Sequence, residues 1–194
     1  MPPPKTDLNG DGMLQVGDII LLLNIMLYGE ESSQNGFQQS YQGDICFAPE
    51  DVWDKQCFGA GASTPESLDG YDRIDGFVRI VDTNITSLKD LGFQSIKSIG
   101  KLLYIQSNDN LVSLEGLEQL TSVGGGIRVA WNEKLESVGA LENLEYTSHL
   151  MVVRNEALCN EEPATLAYLL DKTMTDECCE LSESDAYIQQ NKDC

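Results

Sequence analysis

The stretch LLYIQSNDNLVSLEGLEQLTSVGG, residues 102–125, carries two periods in succession. Leu103 and Ile105 alternate with Tyr104 and Gln106, the two-residue period of a strand that turns one face inward. Asn108 follows. Leu111, Leu114, Leu117 and Leu120 then recur every third residue, and Val123-Gly124 marks a corner. The same unit stands on both sides. Val78/Ile80, Leu103/Ile105, Ile127/Val129 and Leu150/Val152 are equivalent pairs, and their second members lie 25, 24 and 23 residues apart. An asparagine follows each pair, at Asn84, Asn108, Asn132 and Asn155. Leucine-type positions come next: Ile85, Leu88 and Leu91, then Leu111, Leu114 and Leu117, then Leu135, Val138 and Leu141.

A repeat of about 24 residues predicts stacked coils, because one such unit cannot bury its apolar face alone. The expected fold is therefore mainly β: a short right-handed parallel β-solenoid of about four coils over residues 68–158. The asparagines are expected to line one corner and bond backbone groups of neighbouring coils. Gly100, Gly124, Gly125 and Gly126 are expected to relieve tight bends. The repeats are read as ending at Leu158.

The pattern LxxLxxLxxLxxVGxxLxIxxNxxLxSL resembles the receptor L domain, the leucine-rich-repeat-like β-helix of insulin- and epidermal-growth-factor-receptor ectodomains. The resemblance spans roughly residues 70–160. It implies a surface that binds other proteins and carries over no particular binding residue.

Residues 159–194 are expected to cap the last coil. Glu161, Glu162 and Pro163 open a helix, and Leu166, Leu169 and Leu170 supply its apolar positions. An open solenoid end needs such cover, since it exposes unpaired strand edges.

The N-terminal segment, residues 1–29, carries a different motif. Asp7, Asn9, Asp11, Gln15 and Asp18 fall at positions 1, 3, 5, 9 and 12 of a calcium loop; Met13 offers its carbonyl at position 7, and Gly12 provides the turn at position 6. The expected cofactor is Ca2+. An apolar helix follows, with Ile19, Ile20, Leu22, Leu23, Met26 and Leu27 expected to meet a partner, and Gly29 to close it. Residues 6–29 resemble one repeat of a type I dockerin. That family carries two repeats packed together; one is found here. Apolar on nearly every side, the helix calls for cover from this chain or from another molecule.

Residues 30–67 read as a linker, with a loop closed by Cys46 and Cys57. In it Phe47, Trp53 and Phe58 are expected to be packing residues. Cys159, Cys178, Cys179 and Cys194 are expected to tie down the C-terminal end. Six cysteines permit many pairings, and adjacent Cys178 and Cys179 are poor partners for each other. Lacking paired zinc-type spacing, the cysteines point to disulfides and an oxidising compartment, hence an extracellular or cell-surface location. The opening Met1-Pro2-Pro3-Pro4 has neither the basic nor the apolar region of a secretory leader, so the numbering is expected to begin after a removed leader or with an added Met. The run Ile19 to Tyr28 is too short to span a bilayer and is broken by Asn24.

With 12 basic and 32 acidic residues, the chain has a formal charge of −20, which disfavours nucleic acids and anionic membranes as partners and favours cations. Catalytic readings fare poorly. His149 is the single histidine and is read as a surface or corner residue. Asp69, Asp72 and Asp75 are read as a solvated turn rather than a second cation site. Asn84-Ile85-Thr86 is a glycosylation sequon in a corner, where the asparagine has a structural reading as well.

The resulting expectation is a secreted or cell-surface, non-catalytic, calcium-binding assembly protein. Its partner would be another protein or further copies of itself, joined head to tail through the loop and helix. A second reading makes that segment a dockerin-type anchor for a cohesin-like partner. A third, a glycan-binding or glycan-active solenoid face, requires aromatics and acids clustered on one face; nothing in the sequence alone supports a glycan.

Overall fold

The computed structural model describes residues 39–49, 57, 63–65, 67–68, 70–174 and 185–194. The calcium-loop and helix residues, 7–27, lie outside them, as do Asp69, Trp53, Phe58, Cys178 and Cys179. The chain divides into two units, Met1–Gln38 and Gln39–Cys194.

The second unit, among its described residues, is mainly β, with parallel strands and one α-helix. Its strands are β1 (Gln39–Tyr41), β2 (Ile45–Phe47), β3 (Tyr71–Ile74), β4 (Val78–Val81), β5 (Ser98–Ile99), β6 (Leu103–Gln106), β7 (Ser122–Ala130), β8 (Tyr146–Val153), β9 (Thr173–Met174) and β10 (Asp185–Gln189); α1 is Glu161–Leu169. Every strand pairing is parallel. One column runs β2–β4–β6–β7–β8–β10, and a second runs β1–β3–β5–β7–β8. β7 and β8 belong to both because each is long enough to run through the corner, where the register slips between Val123 and Gly126. Gly124 makes this corner feasible: a Cβ there would strike the Gly100 carbonyl of the preceding repeat.

The two-residue period sorts the first column. Ile45, Val78, Leu103, Ile127, Leu150 and Ala186 pair in register, and so do Phe47, Ile80, Ile105, Val129, Val152 and Ile188; all are buried. The three-residue leucine period supplies the opposite wall. Leu111, Leu114, Leu117 and Leu120 are fully buried, as are Leu88, Phe93 and Ile96 one repeat earlier and Leu135 and Leu141 one repeat later. Burying each such side chain stabilises by roughly 1.5–3 kcal/mol, and the clusters merge into one continuous core.

The sheet extends beyond the periodic segment at both ends. β1 and β2 add strands from residues 30–67, where Phe47 joins the core and meets Phe93 edge-on at 6.1 Å. β10 adds a further parallel strand after Leu158, where the repeats were expected to stop. Its equivalent of Val152 is Ile188, 36 residues on, because α1 and β9 are inserted between them. That longer step conceals the period.

The predicted helix forms, and its Pro163, Leu166 and Ala167 are buried. Leu169 is 68% exposed instead of facing the core. Glu162 accepts hydrogen bonds from the Ser137 hydroxyl at 2.7 Å and the Val138 N–H at 3.1 Å, fastening α1 to the preceding repeat. Cys159 and Cys194 are joined, with Cα atoms 5.8 Å apart, and Cys46 and Cys57 are joined at 5.7 Å.

Candidate functional site

The residues between the inward positions of the first column point the other way. In register these are Cys46, Arg79, Tyr104, Arg128, Met151 and Tyr187. Cys46 is buried in its disulfide, which closes one end of the row. Further along, cations and rings alternate. The Arg79 guanidinium lies 5.2 Å from the Phe77 ring and 5.5 Å from that of Tyr104; Arg128 lies 5.2 Å from Tyr104 and 5.4 Å from Trp131; Arg154 lies 5.5 Å from Trp131. Each contact sets a cation against the electron-rich face of a ring, worth about 0.5–1 kcal/mol where exposed.

Trp131 and Arg154 belong to the corner at which these strands end. Asp82, Ser107, Trp131, Arg154 and Gln190 all adopt left-handed backbone, with φ between 55° and 57°. A bulky residue there is unusual and needs a cause. The cause is the next repeat: Asp82, Ser107, Trp131 and Arg154 donate their N–H groups to Gln106, Ala130, Val153 and Gln189 carbonyls at 3.1–3.2 Å.

The following residue builds a buried asparagine ladder. The Asn132 Oδ1 accepts from the Asn108 N–H at 3.0 Å and from Asn108 Nδ2 at 3.2 Å. Asn155 Oδ1 receives the same pair of bonds from Asn132, each at 3.1 Å, and Asn191 Oδ1 receives them from Asn155 at 2.9 and 3.2 Å. The first rung is Thr83, whose N–H and hydroxyl donate to Asn108 Oδ1 at 2.9 and 2.7 Å. Asn84, expected on that rung, instead lies one residue beyond it, exposed, where its Oδ1 accepts from Asn110 Nδ2. Asn84 comes four residues after Ile80, whereas Asn108, Asn132 and Asn155 each come three after Ile105, Val129 and Val152, which puts it off the ladder.

A concavity opens at this corner around Trp131 and Arg154, bordered by Gln106 and the carboxylates of Asp109, Glu133 and Glu156. Trp131 is 37% exposed. Among the described residues, four cations find carboxylates: Arg73 with Asp75 at 2.6 Å, Lys89 with Glu115, Lys97 with Asp72 at 3.7 Å and Lys101 with Asp44 at 3.3 Å. Arg128 and Arg154 are not among them. Hydrogen bonding by Arg73 holds the Asp75 carboxyl below its usual range. Asp72 and Asp75 are thus engaged with basic side chains, but Asp72 lies within β3 rather than in the solvated turn expected of it.

His149 is half-buried, with its ring over Gly126 and its Nδ1 3.2 Å from the Ser148 hydroxyl. Burial, reinforced by nearby Lys172, pushes its pKa below the usual histidine value. Among the described residues no group of His, Cys, Asp or Glu side chains is arranged to hold a metal, and no helix is long and apolar enough to cross a membrane.

The expected calcium ligands Asp7, Asn9, Asp11, Met13, Gln15 and Asp18, and the expected partner-binding residues Ile19, Ile20, Leu22, Leu23, Met26 and Leu27, fall outside the described residues. The arginine–aromatic face went unforeseen. Its signal was present: in each repeat, the residue between the paired apolar positions and the one before the asparagine hold three of the four arginines in an acidic chain. No family model, curated protein or solved structure matches the chain.

Proposed function

We propose that this is a non-catalytic, secreted or cell-surface recognition and assembly protein. In this reading the parallel strands form a short β-solenoid of the receptor L type that displays one binding face. The N-terminal segment folds around Ca2+ held by Asp7, Asn9, Asp11, the Met13 carbonyl, Gln15 and Asp18, and its apolar helix joins a protein partner or another copy. The observation that carries the recognition role is the row Arg79, Tyr104, Arg128 with Trp131 and Arg154, cations held against rings on an outward sheet face. Two disulfides support an oxidising compartment.

Light scattering on the full chain, with calcium and with chelator, tests the assembly role. Larger species with calcium that revert to monomers with chelator are expected; monomers under both conditions would remove self-assembly. Capture of a β-sandwich partner of the cohesin type by the calcium-loaded protein would favour the anchoring alternative.

A glycan-recognition reading of the solenoid face is favoured by a specific observation: Trp131 stands beside Asp109, Glu133 and Glu156 in one concavity. Aromatic rings offer a stacking surface and carboxylates accept hydrogen bonds from hydroxyl groups. Titration with sugar polymers tests it.

A further inference from the structure

We propose that the arginine–aromatic face binds an acidic glycan, a sugar polymer whose residues carry carboxylate or sulfate groups; this rests on the glycan-recognition reading above and names its ligand class. The cations are prepositioned. Arg128 is held between Tyr104 and Trp131, and Arg154 lies against Trp131, so less side-chain freedom remains to be lost on binding.

Arg128 and Arg154 also lack anions among the described residues, where anions abound. The chain has 32 acidic residues against 12 basic ones, yet among the described residues no carboxylate comes within 4.0 Å of the Arg128 or Arg154 guanidinium. A guanidinium without a carboxylate partner gains charge-assisted hydrogen bonds from an incoming anion.

The surroundings choose among anions. A ligand here must bring acid groups to the arginines, hydroxyl donors to Asp109, Glu133 and Glu156, and an apolar face to Trp131. A polymer of sugar acids has all three. An acidic peptide or a nucleic-acid backbone supplies anions but few hydroxyl donors for three carboxylates; the −20 charge opposes every polyanion alike, so the choice rests on these local contacts. The row also suits a linear polymer. It crosses the strands at about 4.8 Å per residue, so Arg79 and Arg128 stand about 10 Å apart with Tyr104 between them.

The experiment titrates the full chain, at fixed calcium, with a polyuronate, a sulfated polysaccharide, a neutral glucan and poly-glutamate. Arg128→Gln and Arg154→Asn are compared with the parent. Asparagine tolerates left-handed backbone, so the second variant keeps the test open if the first fails to fold. Binding of either acidic polysaccharide, weakened about tenfold or more in each folded variant, is the expected result. The uronate and sulfate arms tell which acid group is recognised. Equal binding of the neutral glucan, unchanged by Arg128→Gln, would overturn the acidic ligand and leave glycan recognition standing. Poly-glutamate binding as tightly, with the same losses, would overturn it in favour of an acidic protein. No binding by any sugar polymer would remove both the ligand and the glycan reading.

Discussion

Asn132 has no solvent exposure, and its side chain makes four hydrogen bonds: Oδ1 accepts two from Asn108, while Nδ2 donates to the Ile105 carbonyl at 3.3 Å and to Asn155 Oδ1 at 3.1 Å. Leucine would fit the volume and abandon every partner. We expect Asn132→Leu to cost about 4 kcal/mol, since several buried groups lose their partners at once, and to lower the melting temperature by about 10 °C. A thermal melt within a degree or two of the parent would show that the ladder contributes little.

His149 makes a second prediction at this scale. Its folded pKa is depressed by burial and by Lys172. Below the ordinary value of about 6.5 the unfolded chain therefore takes up the proton first. Stability from this residue is complete above that pH and declines as the pH falls toward the folded pKa. Urea midpoints at about pH 7.5 and about pH 5.5 should separate the parent from His149→Gln, the parent losing more on acidification. Parallel losses in the two proteins would remove His149 as the cause.

Residue-scale legibility was uneven for a physical reason. Inward apolar pairs and ladder asparagines must repeat, because each packs on its own counterpart in the next repeat. Outward residues face solvent and are free of that constraint, so Arg79, Tyr104 and Arg128 share a register without sharing a type. Trp131 and Arg154 are harder still to read, since nothing in a bulky side chain signals left-handed backbone.

Among the elements, β10 and α1 show how the repeat tolerates interruption. The chain leaves the stack after Leu158, forms α1 and returns to lay β10 along β8, with Ala186 and Ile188 in the buried register. Cys159 and Cys194, 35 residues apart in sequence, close that excursion. Chain-entropy arguments give such a closure about 4 kcal/mol. In the Cys159→Ser, Cys194→Ser double variant, the amides of residues 185–189 should exchange with solvent much faster while those of β6 change little. Uniform acceleration would mean that the bond supports the whole stack rather than its last strand. The helix itself was legible from Pro163 and its acidic first turn. The strand was not, because an insertion erased the spacing that would have revealed it.

At the level of the whole unit, each repeat touches chiefly its two neighbours. Stability then resembles a sum of repeat and interface terms, with fraying from the ends. Hydrogen exchange should accordingly be slowest in β6 and β7, flanked on both sides, and faster in β2 and β10. An even protection profile would indicate a single cooperative unit instead. The parallel pairing of successive repeats was legible from residue spacing alone, because residues that pair in register with their counterparts recur at that spacing. The extent of the stack was not, since the terminal strands depart from the recurrence that identifies the middle.

The corner column has one more consequence, for how such a surface can change. Asp82, Ser107, Trp131, Arg154 and Gln190 include an acid, a hydroxyl, an indole, a cation and an amide on nearly identical backbone. In Asp82, Ser107, Trp131 and Arg154 that conformation is imposed by main-chain bonds to the adjacent repeat and by the ladder residue that follows each, so it asks little of the side chains it displays. These neighbouring positions can therefore exchange chemistry while the interior stays as it is. That separation makes the edge a natural place for lineages, or a display library, to rewrite what the protein recognises without having to reinvent how it folds.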